Sequence, residues 1–284
     1  MTASVPLDES VTGGTATSAE ARIGARVLDT FIDAASCDGA IERIVDWARA
    51  RKSRAIYFCN VHSVVAARED AELDAALAAS DLAAADGQPI AWMLRRNSFP
   101  GLPRVTGTDL MRRLLARAES AGLSVYFYGE RPSTLERLSQ ALQRDFPMLR
   151  VAGMHSPPFR ALTQVEDQAI VEAINASGAN IVFVSLGCPK QEKWIAARRG
   201  RIVAPMLGVG AAIAFYSGVT RRAPIWMQRY GLEWLHRLAS EPRRLGWRYL
   251  ATNSIFIALA VRGFALQLMR RLTARSASSS ASRR

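Results

Sequence analysis

Asp86 follows a short apolar run, 82–85, and precedes Gly87, so its carboxylate leaves a buried strand at a tight turn. A carboxylate fixed at the rim of a cleft can act as a general base. It can equally cap the helix that the pattern places from about Gln88, a common task for Asp. Three other polar clusters follow apolar runs in the same way. Asn60-Val61-His62 follows 55–59, where Asn60 suits a helix cap or a ligand for sugar hydroxyls. Gly187-Cys188-Pro189-Lys190-Gln191-Glu192 follows 181–185; Pro here stands at a helix start, where its missing N–H costs nothing, and Lys190 beside that start suits a phosphate. Gly208-Val209-Gly210 follows 202–207 and permits close backbone approach, without the full Gly-x-Gly-x-x-Gly dinucleotide signature.

Other chemistries find no residues. His62, His155 and His236 have no metal-ligand spacing among themselves or with Cys37, Cys59 and Cys188, so neither a metal nor a cofactor is expected. Gly-x-Ser-x-Gly and Walker motifs are missing. Cys188 has no His beside it in sequence and reads as a small packed thiol.

The elements that must position these residues are legible from periodicity. Short β-branched or aromatic runs at 26–32, 55–59, 82–85, 124–128, 150–153, 181–185 and 202–207 alternate with longer stretches of helical spacing. At 37–51 the stripe is Ile41, Ile44, Val45 and Ala48; at 108–121 it is Leu110, Leu114 and Leu115; at 165–176 it is Ile170, Val171 and Ile174. This alternation predicts an α/β fold with a Rossmann-like parallel sheet over residues 25–217. In such sheets ligands bind beyond the carboxyl ends of the strands, where all four polar clusters lie.

Charge is divided along the chain. Residues 1–197 carry 21 Lys and Arg against 23 acidic residues, whereas 198–284 carry 16 Arg against two. A near-neutral body with a cationic end predicts an anionic partner, phosphates or an acidic membrane surface. From about Gly218 the strand signal gives way to helical spacing in which Trp226, Trp234 and Trp247 alternate with Arg229, Arg237, Arg243, Arg244 and Arg248, followed by apolar residues from Ile255 to Leu268. That mixture predicts a helical appendage over 218–270 that lies on a bilayer; packing of the tryptophans onto the body is the alternative. The apolar stretch 255–269 is too short and too interrupted to cross one. Residues 1–24 read as a disordered leader without a targeting role and 271–284 as a disordered basic tail. Three widely spaced cysteines suit a reducing compartment, so a cytoplasmic, peripherally membrane-bound location is expected. Leu77, Ile90 and Trp92 suit a homo-oligomer interface as readily as a core.

Read in order, Asn60, Ala85-Asp86-Gly87, Arg104-Val105-Thr106-Gly107-Thr108-Asp109, Gly187-Cys188-Pro189-Lys190-Gln191-Glu192, Gly208-Val209-Gly210, Arg222-Ala223-Pro224, Gly231-Leu232-Glu233-Trp234 and Glu241-Pro242-Arg243-Arg244 closely resemble the WecG/TagA/CpsF family of bacterial glycosyltransferases, over about residues 25–262. The resemblance implies an inverting, metal-independent hexosyltransferase that moves a sugar from a UDP-sugar to a polyprenyl (undecaprenyl) diphosphate-linked sugar in cell-surface polysaccharide synthesis. It implies Asp86 as the base, Asn60, Arg104 and Gln191 as cleft residues, and an arginine-rich appendage that docks on the membrane and helps close the site. Gln88, Lys190, Gly208, Gly210, Arg222, Arg229, Arg237, Arg243 and Arg244 complete the expected substrate-binding set. Two positions depart from the family pattern: Phe58 stands where Thr is frequent and Ala214 where Asp is frequent. The rival reading is a basic, non-enzymatic nucleic-acid-binding protein, which has no use for a buried cleft carboxylate. The transferase reading, with no nucleic-acid partner, is adopted.

Overall fold

The computed structural model describes residues 22–96, 99–243, 246 and 252–262. Eight strands form one sheet: β1 (Gly24–Val27), β2 (Thr30–Asp33), β3 (Arg54–Cys59), β4 (Leu82–Ala85), β5 (Ser124–Gly129), β6 (Arg150–His155), β7 (Ile181–Ser185) and β8 (Pro205–Gly208). Their spatial order is β1-β2-β4-β3-β8-β7-β5-β6, and every neighbouring pair is parallel except β1 with β2. The α/β, Rossmann-like core expected from the sequence is therefore present.

Alternation along each strand sorts side chains to two faces. Ala55, Tyr57, Cys59, Val182, Val184 and Met206 face one layer, which contains α3 (Ala71–Ala78), α4 (Gln88–Arg96), α7 (Gln164–Ala176) and α8 (Lys190–Arg198). Ile56, Phe58, Ile181, Phe183 and Leu207 face the other, built from α1 (Cys37–Arg49), α5 (Gly107–Ser120), α6 (Pro132–Asp145) and α9 (Ala212–Tyr216). The three predicted helical stripes are all buried in these layers. Helix starts follow side-chain capping: Ser36 Oγ accepts from Gly39 N–H, and Thr163 with Glu166 forms a reciprocal capping box. Burying both sheet faces explains why the strands read as unbroken apolar runs.

Three boundaries differ from expectation. The strand expected at 202–207 begins only at Pro205 and ends at Gly208. The run at 26–32 is not one strand but the β1–β2 hairpin, turned at Leu28, whose φ is +55°. No glycine marks this turn, so the apolar pattern runs straight through it. The leader prediction extends too far: Arg22 already pairs with Asp33 at 2.6 Å and donates to the Ser80 carbonyl, also at 2.6 Å. The remainder of the leader and the tail at 271–284 lie outside the described residues. Leu77 and Ile90 are core residues, whereas Trp92 is about half exposed.

Past α9 the described residues hold α10 (Ile225–Arg229), α11 (Glu233–Ser240) and a further helical stretch at 252–262. Phe256 and Ala260 of that stretch are buried against the α3–α8 layer. Among the described residues no helix is long and apolar enough to cross a membrane.

Candidate active site

A cleft of about 2290 Å³ opens along the carboxyl ends of the parallel strands. β3 and β8 are neighbours, yet the chain leaves β3 toward α3 on one face and leaves β8 toward α9 on the other. Loops that part in this way leave a crevice between them, the ligand position of open α/β sheets. Of the residues expected from the sequence, Asn60, Asp86, Gln88, Arg104, Lys190, Gln191, Gly208, Gly210, Arg222 and Arg237 line it. Arg229 and Arg243 are exposed and do not. Arg244, Trp247 and Arg248 lie outside the described residues.

Asp86 sits where β4 meets the cleft, its N–H donating to the Cys59 carbonyl at 2.9 Å. Gly87, with φ of +90°, turns the chain into α4, and its carbonyl accepts the first helical bond from Ala91 N–H at 3.2 Å. The cap is thus Gly87, and the Asp86 side chain is left to the cleft. Asn60 is a cap: Oδ1 caps α2 (Val61–Ala66) by accepting from Ser63 N–H at 3.2 Å, and its side chain also hydrogen-bonds Asp86. Burial, followed by the nearby Glu233 carboxylate, pushes the Asp86 pKa up to about 7, against the opposing pull of Arg104, Arg237 and Asn60. A carboxyl that titrates near neutrality can exchange a proton with a substrate hydroxyl.

The arginines around it are paired. Arg104 Nη1 lies 2.6 Å from Glu233 Oε2, and Arg222 Nε lies 3.0 Å from Glu233 Oε1. Arg222 also grips Asp109 with two bonds of 2.5 and 3.1 Å, while Thr106 donates to Asp109 at 2.8 Å. Glu233, one of only two acidic residues beyond Arg198, therefore sits between two cations expected to meet phosphates. Charge patterning could not reveal this, because Arg104 lies 129 residues from Glu233 in sequence. Arg237 remains near Asp86, its guanidinium 5.7 Å from the Phe215 ring centroid.

Gln191 is 5 % exposed and brackets the glycine turn: Nε2 donates to the Gly208 carbonyl at 3.0 Å, and Oε1 accepts from Gly210 N–H at 3.1 Å. A Cβ on Gly208 would stand 3.2 Å from that amide nitrogen, a tight contact that the Gln191 side chain would have to shift to admit. Lys190 is exposed at the rim, as the first residue of α8. Gln88 accepts from Arg95 at 3.0 Å and underlies Gly231, joining α4 to the C-terminal segment. Phe58 is buried beneath Gly107, and Ala214 faces the cleft. Sequence reasoning missed Glu130 and Glu233. Glu130 follows a strand just as Asp86 does, a signal that was available at Gly129-Glu130. Among the described residues no group of three or more His, Cys, Asp or Glu side chains could hold a metal ion.

An open parallel sheet with a polar cleft at its carboxyl edge, holding a near-neutral carboxyl beside several guanidiniums, defines an α/β protein equipped to handle hydroxyls next to anions. Residues 25–270 match the glycosyl transferase WecG/TagA/CpsF family. The match covers most of the 284 residues, and the chain belongs to that family. It is a glycosyltransferase of cell-surface polysaccharide synthesis, which decides between the two classes raised by the sequence.

Proposed function

We propose that the protein transfers a hexose, with inversion, from a UDP-sugar to a sugar carried on polyprenyl diphosphate, and that Asp86 is the general base. The observation that carries this reading is the Asp86 carboxyl, held at the cleft edge by Asn60 with its pKa pushed up to about 7. The acceptor hydroxyl attacks the anomeric carbon and gives its proton to Asp86, while the bond from that carbon to the diphosphate oxygen breaks on the opposite side. One displacement inverts the anomeric configuration. Charge developing on the departing UDP is met by Arg104, Arg222 and Arg237 in place of a metal, since preorganised cations cost no rearrangement during the reaction.

The acceptor is both greasy and anionic, and the C-terminal segment has surface for both. Trp226 is 57 % exposed, with Ile225 beside it on α10 and Tyr230 just past that helix also exposed. Such side chains next to arginines suit an anionic bilayer surface, taken here to be the inner face of the plasma membrane. Incubation with a panel of UDP-sugars and a short-chain lipid diphosphate sugar, followed by product mass, tests the reaction. We expect one donor to extend the acceptor by a single hexose residue. No extension from any UDP-sugar would contradict the donor class.

A further inference from the structure

Two polar side chains in the first turn of α8 are buried, Gln191 and its neighbour Glu192, which is 2 % exposed. An acid at a helix N-terminus suits the helix dipole, which accounts for a glutamate in this turn but not for its burial, since a solvated position there gains the same without desolvation. Burial holds the Glu192 pKa above the ordinary carboxylate range, against hydrogen bonds from Gln191 and Cys188. Among the described residues its Oε2 has no hydrogen-bond partner. The carboxyl is therefore kept inside at a cost to stability, with Oε1 accepting from Gln191 Nε2 at 2.9 Å.

That contact completes the Gln191 amide, which has two N–H donors and one carbonyl. One N–H goes to the Gly208 carbonyl, the amide oxygen takes Gly210 N–H, and Glu192 takes the N–H left over. Without that acceptor a buried donor would be stranded, and the amide would turn toward the water of the cleft to satisfy it. The turn that Gln191 holds is part of the cleft wall. β8 lies two strand spacings, about 10 Å, from β4, which leads into Asp86. The turn also packs on the start of α5, where a Cβ on Gly107 would stand 3.1 Å from the Val209 carbonyl oxygen. Two residues on, Asp109 grips Arg222. A displaced turn would therefore disturb α5 and, through Asp109, the arginine assigned to the departing diphosphate.

We infer that Glu192 is a positioning residue for the transfer reaction: it fixes the Gln191 amide, and through it the Gly208–Gly210 turn, and acts by that route rather than on substrate. The link to transfer rests on the reaction proposed above; the hold on the turn does not.

Hydrogen exchange at the Gly210 amide, followed by NMR on the full chain, tests the hold, and kcat and KM for hexose transfer, measured well below melting, test its consequence. Glu192→Met removes the acceptor at similar side-chain length, whereas Glu192→Gln keeps one. In Glu192→Met the Gly210 amide should exchange roughly tenfold or more faster, as expected for a weakened hydrogen bond, while the amides of β5 keep their wild-type rates. Its kcat should fall by about tenfold with KM little changed, the mark of an interaction that matters in the transition state. Glu192→Gln should match wild type in both readouts. Gln191→Met combined with Glu192→Met should be no slower than Gln191→Met alone, because both act through one amide. Unchanged Gly210 exchange in Glu192→Met, wild-type kcat despite faster exchange, or β5 amides that loosen equally would overturn the inference. So would a Glu192→Gln protein as impaired as Glu192→Met, or single losses that multiply in the double variant. If the wild-type chain transfers no hexose from any UDP-sugar, the reaction reading fails, and exchange at Gly210 still decides whether Glu192 holds the turn.

Discussion

In the proposed reaction, Asp86 is the residue on which chemistry and stability meet. Its pKa is raised in the fold, so between the ordinary carboxylate range and about pH 7 the native protein holds a proton that the unfolded chain has released. This group's contribution therefore destabilises the fold increasingly as pH rises through that window, and the cost is constant above it. Asp86→Asn removes the cost. The variant should melt higher than wild type at about pH 8 and the same as wild type at about pH 4. Equal melting temperatures at both values would mean that the carboxyl is not perturbed. Such a trade, stability given up to keep a side chain reactive, is what a carboxyl serving as a base requires.

Among the elements, β4 and α11 together set that pKa, one by burying Asp86 and the other by bringing Glu233 near it. Replacing Glu233 with Gln removes a repelling carboxylate, and the acid limb of the rate profile should move to lower pH. An unmoved limb would show that Glu233 does not act on Asp86. These elements were unequally legible beforehand. β4 and Asp86 stood out because an apolar run ending in Asp-Gly carries its own local signal. α11 showed its amphipathic spacing, but the pairing of Glu233 with Arg104 and Arg222 exists only once segments 129 and 11 residues apart converge. Gln191 was recognised as a cleft residue, yet its bracket on Gly208 and Gly210 depends on two strands lying side by side. The β1–β2 hairpin was hidden because Leu28 takes its positive φ without glycine.

At the scale of the whole molecule, the described part of the C-terminal segment is held against the body by three contacts: Arg222 bonds Asp109, Glu233 bonds Arg104, and Phe256 is buried in the core. Deleting residues from 218 onward should leave a cooperatively melting α/β body of lower stability that no longer floats with anionic liposomes. Flotation equal to that of the full chain would place the membrane contact elsewhere. The account as a whole depends on sugar transfer through one carboxylate. It is tested most directly by kcat/KM for hexose transfer across about pH 5.5 to 8.5, for the full chain and its Asp86→Asn variant. The account predicts a wild-type rate that rises to a plateau with a midpoint near pH 7, and a variant slower by roughly 10²–10⁴-fold with that limb abolished. A variant of near wild-type rate that keeps the same limb would contradict it.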